Sequence, residues 1–141
     1  MTLRHTLVQF RLGAPLGVAA LAGCACVALW VGDPTVPGGP LPVCPTRALF
    51  GIACPGCGAL RMAYSLMHFD VAAALRFNAV AAIAVVLLLW AYVAWTYGRL
   101  TGRRIRSWQH HRWSAAITLT VVLVWFLMRN LPFEPFRSLY I

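Results

Sequence analysis

Three long apolar runs dominate this sequence and limit what it can fold into. They cover residues 13–32, 70–98 and 113–130. A helix rises about 1.5 Å per residue, so about 20 apolar residues cross the ~30 Å hydrocarbon core of a membrane. Because 61% of the 141 residues are hydrophobic and only 11% are charged, a small soluble globule could not bury them. The sequence therefore predicts an all-α membrane protein with three transmembrane helices.

The positive charge predicts how the chain crosses the membrane. The net charge of +9 comes from twelve arginines against three acidic residues, and five of the arginines lie in residues 99–112, between two apolar runs. Cytoplasmic segments carry such an excess. We therefore expect residues 1–12 and 99–112 in the cytoplasm, and residues 33–69 and 131–141 outside. The basic loop is expected to contact anionic lipid headgroups and not nucleic acid.

The first apolar run carries two features besides its length. Gly13 and Gly17 form a GxxxG pair, and small residues at this spacing let two membrane helices approach closely. They predict contact with a partner membrane protein or with a second copy of the chain. Residues 21–24 read Leu-Ala-Gly-Cys, which resembles the cleavage signal of a bacterial lipoprotein. Because the apolar run continues beyond Cys24, we expect an uncleaved anchor.

Segment 33–69, between the first two runs, has a different composition. It begins with a stretch rich in proline and glycine, which disfavour helices and central strands, so an irregular exposed loop is expected. A Cys54-Pro-Gly-Cys57-Gly turn follows. After it, Cys57, Arg61 and His68 recur at helical spacing. About twelve residues cannot cross a bilayer, so this short helix should be interfacial or re-entrant.

Cys44, Cys54 and Cys57 give this segment its chemistry, and several interpretations are open. A structural disulfide from Cys44 to either of the other two suits an oxidising exported face and a loop that needs a clasp. This interpretation needs no cofactor. A zinc site is the second, because Cys-Pro-Gly-Cys has the two-residue spacing of zinc ligands, with Cys44 and His68 as further ligands.

Thiol redox chemistry is the third interpretation. A helix N-terminus and the nearby cation of Arg61 would both lower the pKa of Cys57, which would become the nucleophile, with Cys54 as its resolving partner. The sequence shows no βαβ pattern of a thioredoxin domain, which weighs against this chemistry. Free thiols packed as small apolar groups are a further alternative.

The cysteine segment and the helix after it resemble a known family. The features that carry the resemblance are Cys44-Pro45, the Gly-x-x-Cys-Pro-x-Cys-Gly turn of residues 51–58, Arg61 in the next helical turn, and the stretch 70–78 before a long apolar helix. They are similar to the bacterial membrane family DUF2752. The resemblance covers about residues 44–98 and implies a small protein of the bacterial plasma membrane. It leaves the activity open.

Two polar residues are expected to shape the start of the second long helix. Asp70 is well placed as its N-cap, with the carboxylate accepting from free backbone N–H groups. The family usually has Asn-Pro where this chain has Asn78-Ala79, so the resemblance implies a straighter helix without a proline kink. Near the end of the third run, Arg129 is expected to extend to the lipid headgroups.

The functional hypothesis follows from size and from what the sequence lacks. A small chain without paired carboxylates, and with a small-residue helix face, favours a non-enzymatic accessory or assembly subunit of a membrane complex, with a cysteine-clasped outer cap. The alternative is a membrane thiol–disulfide oxidoreductase or a zinc-binding protein that uses the Cys-Pro-Gly-Cys motif. A transporter is less favoured, because the runs have no central charge and no inverted repeat.

Overall fold

The computed structural model describes residues 2–36, 38, 44–103 and 105–131, with side chains from residue 12 onward. The all-helical class is confirmed for these residues, which contain no strand. Part of the predicted proline-rich loop (residue 37 and residues 39–43) and nearly all of the C-terminal tail lie outside the described residues. The helices are α1 (Thr2–Gly32), α2 (Pro45–Phe50), α3 (Ala59–Met67), α4 (Val71–Thr101) and α5 (Ser114–Asn130), with a short 3₁₀ helix at Trp108–His110.

Two of the helices are long and apolar enough to cross a membrane. They are Leu12–Gly32 of α1 and Val71–Thr101 of α4. Helix α5 is apolar but has only 17 residues, which corresponds to about 26 Å at the usual helical rise. Length and composition therefore identify two candidate spans, while the third predicted span needs an argument beyond length.

Helix α4 starts with an aspartate cap and changes direction about two turns later. The Asp70 carboxylate accepts from the backbone N–H of Ala73 at 2.9 Å, as predicted for an N-cap. At Asn78 the backbone leaves the helical region (φ −163°, ψ 92°). Its side-chain Oδ1 then accepts from the N–H of Ala81 at 2.9 Å and caps the rest of the helix. The prediction of a straighter helix is wrong, because an asparagine side chain interrupts the helix without proline.

Helix α3 packs on the start of α4 and forms the best-buried part of the molecule. Met62, Ala74 and Ala82 are buried together, and Leu66 and Phe77 pack against them. Such packing stabilises the fold by about 25 cal/mol for each Å² of apolar surface that is removed from water. The cap, which we define as residues 44–69, therefore rests on the first turns of α4.

Helix α1 contacts the rest of the chain along one side. The Tyr92 hydroxyl of α4 donates to the Pro15 carbonyl at 3.0 Å. The opposite face of α1 carries Gly13 and Gly17, which are exposed, and nothing lies within 4 Å of where a Cβ would stand on either. The use of this face by a partner helix stays a prediction.

Candidate functional site

Three thiols meet in the cap. The Sγ atom of Cys54 lies 3.3 Å from that of Cys44 and 3.2 Å from that of Cys57. All three sulfur atoms lie within 4.8 Å of one another, and each is a free thiol in the structure. The other two cysteines, Cys24 and Cys26, are exposed on α1. The cluster thus brings Cys44 into contact with a turn that begins ten positions later in the sequence.

Local sequence explains how the chain presents these sulfurs. Pro45 starts α2 directly after Cys44, and proline is favoured at the first helical position because no N–H is needed there. The Cys57 N–H donates to the Cys54 carbonyl at 3.0 Å and closes the Cys-Pro-Gly-Cys turn. Gly58 follows with φ 78°, a left-handed conformation that glycine adopts without strain, and α3 begins immediately after it.

Side chains from two distant helices hold the turn by its backbone. Asn130 of α5 makes two bonds to Ala53: its Nδ2 donates to the carbonyl at 2.9 Å, and its Oδ1 accepts from the N–H at 3.0 Å. The Nδ2 of Asn78 in α4 donates to the carbonyls of Pro55 at 2.9 Å and Cys57 at 3.1 Å. The turn therefore has a fixed position relative to both helices.

Arg129 lies beneath the turn and is almost completely buried, with 1% of its surface exposed. Its Nη1 donates to the Cys57 carbonyl at 2.6 Å, and its guanidinium stands 5.6 Å from the Trp125 ring centroid. Its Nε and Nη2 atoms have no hydrogen-bond partner among the described residues. The guanidinium also interacts electrostatically with the thiols of Cys57 and Cys54. The prediction that this arginine extends to the headgroups is wrong, because the cysteine turn provides acceptors inside the protein.

Cys44 and Cys57 differ in acidity. A hydrogen bond from the Thr46 hydroxyl and one from the Arg47 backbone N–H lower the pKa of Cys44 to about 6. Burial, and then hydrogen bonding with Cys54, raises the pKa of Cys57 to about 12. The predicted low pKa of Cys57 is therefore wrong: this thiol is 6% exposed, and the cation expected beside it points elsewhere. The Arg61 Nε donates to the Pro34 carbonyl at 3.0 Å.

His68, a predicted fourth metal ligand, lies outside the sulfur cluster. Its Nδ1 is 2.9 Å from the Tyr64 carbonyl, and its ring stacks on Trp30 with centroids 4.4 Å apart. The histidine thus connects the end of α3 to α1. Among the described residues, the group of potential metal ligands consists of Cys44, Cys54 and Cys57.

Two residues could not be assigned to this site from sequence. Arg129 and Asn130 are 72 and 77 positions away from the residues that they contact. The available signal was a pair of polar residues at the end of an apolar run, and that pattern is also typical of side chains at a membrane surface.

The cluster has the chemistry of a soft-metal site. Thiolates are preferred ligands of zinc and of other soft or borderline ions, and three of them can bind one ion. The same sulfurs are also close enough for thiol–disulfide exchange after small movements. Either chemistry would use a turn that the protein holds in place by its backbone.

Comparison with known proteins identifies the region that contains the cluster. Residues 44–92 match the model of a family described as a protein of unknown function, DUF2752, which confirms the resemblance noted from the motif. No curated protein and no solved structure matches the chain significantly. The matched range holds the three clustered cysteines, Asp70 and Asn78, while Arg129 and Asn130 lie beyond it. In this region, the chain is therefore similar to the DUF2752 family.

Proposed function

We propose that this chain is a multi-pass protein of the bacterial plasma membrane that binds one zinc-type ion through Cys44, Cys54 and Cys57. The observation that carries the proposal is the convergence of three sulfur atoms within 4.8 Å of one another. Zn–S bonds are about 2.3 Å long, so tetrahedral thiolate ligands lie about 3.8 Å apart. Shifts of about half an ångström would bring the contacts of 3.2 and 3.3 Å to that spacing.

A three-sulfur metal site accounts for more of the cluster than a single disulfide does. A disulfide joins two sulfurs, although Cys54 contacts both Cys44 and Cys57. The charges also match. Three thiolates and a divalent ion carry one net negative charge, and the buried Arg129 guanidinium supplies one positive charge beside them. A buried charge costs much less when an opposite charge compensates it.

One coordination position is left for a ligand from outside the cluster. Zinc prefers four ligands, and sites with three protein ligands keep the fourth position for water or an incoming group. His68 does not fill this position in the structure, because it stacks on Trp30. We expect water or a group from a partner protein there.

The ion acts as a clasp in this proposal. It would join Cys44, at the start of α2, to the turn that precedes α3. Of the two described carboxylates, Asp33 bonds to Thr35 and Asp70 caps α4, so neither is placed as a general base for the cluster. The chain is thus best described as a non-enzymatic accessory or assembly subunit with a metal-clasped outer cap.

The membrane arrangement rests on apolar surface and on charge. Helix α5 is short for a span, but Leu119 and Leu127 are about 60% exposed, and lipid would cover them. With α5 as a third span, the basic loop of residues 99–112 lies on the cytoplasmic side and the cap lies outside. Helix α1, with its exposed Gly13 and Gly17, is the surface for a partner helix.

The metal content of the purified protein tests this proposal. Protein extracted from membranes in mild detergent should contain about one zinc-type ion per chain. Serine substitution of any clustered cysteine should lower that content strongly. Cys24→Ser and Cys26→Ser are matched controls, since both thiols are exposed on α1, and should leave the content unchanged. Protein that binds no added zinc under reducing conditions would contradict the proposal.

Thiol–disulfide exchange is a second candidate, and the acidity of Cys44 favours it. A pKa of about 6 makes this thiol largely ionised at neutral pH, and Cys54 lies in contact as a resolving thiol. The Cys44 thiolate would attack an external disulfide, form a mixed disulfide and release one substrate thiolate. Cys54 would then attack the Cys44 sulfur, which yields a Cys44–Cys54 disulfide and releases the second substrate thiol.

The two candidates predict different behaviour of the same variants. Exchange with a small disulfide such as oxidised glutathione should disappear in Cys44→Ser and stop at the mixed disulfide in Cys54→Ser. In Cys57→Ser it should persist. A metal clasp predicts that Cys57→Ser loses the ion, as the other two variants do. Mass spectrometry of alkylated protein, together with metal analysis, separates these outcomes.

A further inference from the structure

Helices α1 and α4 enclose a cleft away from the cysteine cluster. Its volume is about 1040 Å³, and it is open at the side. Most of its walls are apolar, with Val18 and Ala22 from α1 facing Leu88 and Ala91 from α4. Both helices are candidate membrane spans, so these walls lie at the depth of lipid chains. The long part of the cleft therefore matches an acyl chain.

One end of the cleft is basic, because Arg99 lies in the last turn of α4. Ser107, Gln109 and His110 add polar lining from the loop that follows α4. The Arg99 guanidinium lies 5.2 Å from the centroid of the Trp95 ring, a cation–π contact that fixes its position near the mouth. The two described acidic residues, Asp33 and Asp70, are engaged elsewhere, with Thr35 and Ala73. Among the described residues, no carboxylate is therefore placed to neutralise the positive charge at this end of the cleft.

The loop that supplies this polar lining is held in place against α4. The indole Nε1 of Trp108 donates to the Leu87 carbonyl at 3.1 Å, which bends the loop back toward the middle of the helix. Gly98 permits the close approach, because a Cβ there would lie 3.0 Å from the Arg103 carbonyl oxygen. Ser107 is buried, and its hydroxyl is 3.3 Å from His110 Nδ1. The loop therefore forms a fixed wall of the cleft.

We propose that this cleft binds one anionic phospholipid, with an acyl chain between α1 and α4 and the phosphate headgroup at Arg99. Charge complementarity selects this occupant: an apolar channel that ends in a cation suits a molecule with an apolar tail and an anionic head. A zwitterionic lipid offers the same tail and no net charge. A water-soluble phosphate offers the charge and no tail. The site is independent of the cysteine cluster and of any metal there.

Lipid binding to delipidated protein in detergent tests the proposal. Native mass spectrometry and thermal shift would compare phosphatidylglycerol with phosphatidylcholine of the same acyl chains, and with glycerol phosphate. Phosphatidylglycerol should bind more tightly than both and raise the melting temperature most. Arg99→Gln should weaken phosphatidylglycerol about fivefold, the effect of one arginine near a membrane surface, and leave phosphatidylcholine unchanged.

Two variants with matched controls separate the headgroup from the tail. Ala22→Phe fills the apolar walls and should reduce the binding of both lipids, while Ala20→Phe, on the same helix but outside the cleft, should not. Arg76→Gln removes an exposed charge from the other end of α4 and should match the unsubstituted protein. Equal affinity for the two lipids would overturn the proposal. Equal losses in Arg99→Gln and Arg76→Gln would also overturn it, because they would indicate general surface charge.

Discussion

At the scale of single residues, the three clustered cysteines lie in different environments. Cys44 lies beside a hydroxyl and a backbone N–H that stabilise its thiolate, whereas Cys57 is buried and keeps its proton. Cys54 stands between them, within 3.3 Å of each. Reactivity in this cluster therefore depends on position, and the thiol with the lowered pKa lies outside the Cys-Pro-Gly-Cys motif.

Alkylation should reveal this difference directly. The rate at Cys44 should rise as the pH increases through about 6 and then level off, because the thiolate is the reacting form. Cys57 should stay protonated and unreactive across the same range, since its pKa is about 12. Iodoacetamide labelling of metal-free, reduced protein, followed by peptide mass spectrometry, measures both rates. Equal pH profiles for the two thiols would refute the assigned acidities.

A second residue-scale prediction concerns the buried charge. Arg129→Gln should weaken metal binding by about 10- to 100-fold, the usual effect of losing a partner just outside the ligand set. The exposed Arg76→Gln is the matched control and should bind as the unsubstituted protein does. Competition against a chromophoric chelator measures both affinities. If the two variants bind metal equally, Arg129 does not compensate the charge of the cluster.

At the scale of elements, the break in α4 connects this candidate membrane span to residues 44–69, which form the cap. Asn78 leaves the helical conformation and uses its amide twice: the oxygen caps the helix at Ala81, and the nitrogen donates to two carbonyls of the cysteine turn. Asp70 makes a simpler cap, with one bond to Ala73. The first two turns of α4 thus lie between two capping side chains, Asp70 and Asn78, and Asn78 also belongs to the site.

The two helix-capping side chains, Asn78 and Asp70, should differ in their contribution to stability. Asn78→Ala removes a cap bond and two bonds to the turn and should cost about 2–4 kcal/mol, as sums of ordinary hydrogen-bond values suggest. Asp70→Ala removes a cap bond alone and should cost about 1 kcal/mol. Thermal unfolding in the same detergent compares them. A smaller loss for Asn78→Ala than for Asp70→Ala would show that the turn does not depend on α4.

Local features of the sequence could be predicted, and distant contacts could not. The cap at Asp70 and the Cys-Pro-Gly-Cys turn depend on a few adjacent residues, so pattern and propensity were sufficient. The break at Asn78 was missed because it depends on carbonyls 21 and 23 positions earlier in the chain. The burial of Arg129 was missed for the same reason, since its acceptor lies 72 positions away.

At the scale of the whole molecule, a compact cap stands on helices that are largely exposed. Only 6% of the residues in the apolar stretch of α1 are buried, and 22% of those in the apolar stretch of α4. Lipid, or a partner's helices, would cover this surface, which favours a small subunit that works inside a larger assembly. The cap, by contrast, is tied to α4 and α5 by Asn78, Arg129 and Asn130.

The proposed orientation can be tested in intact cells. Leu49→Cys, at an exposed position of the cap, should react with a membrane-impermeant maleimide before lysis. Arg106→Cys, in the basic loop, should react only after lysis. The unsubstituted protein sets the background from its own cysteines. The reverse pattern would place the cap in the cytoplasm.

A titration with cobalt(II) tests the central claim most directly, because thiolate-to-cobalt absorption grows with the number of sulfur ligands. Reduced protein in detergent should saturate at one ion per chain with three thiolate ligands. Each single substitution of serine for Cys44, Cys54 or Cys57 should remove about a third of the absorption or abolish metal binding. Absorption that is absent, or that survives all three substitutions unchanged, would contradict a metal site in this cluster.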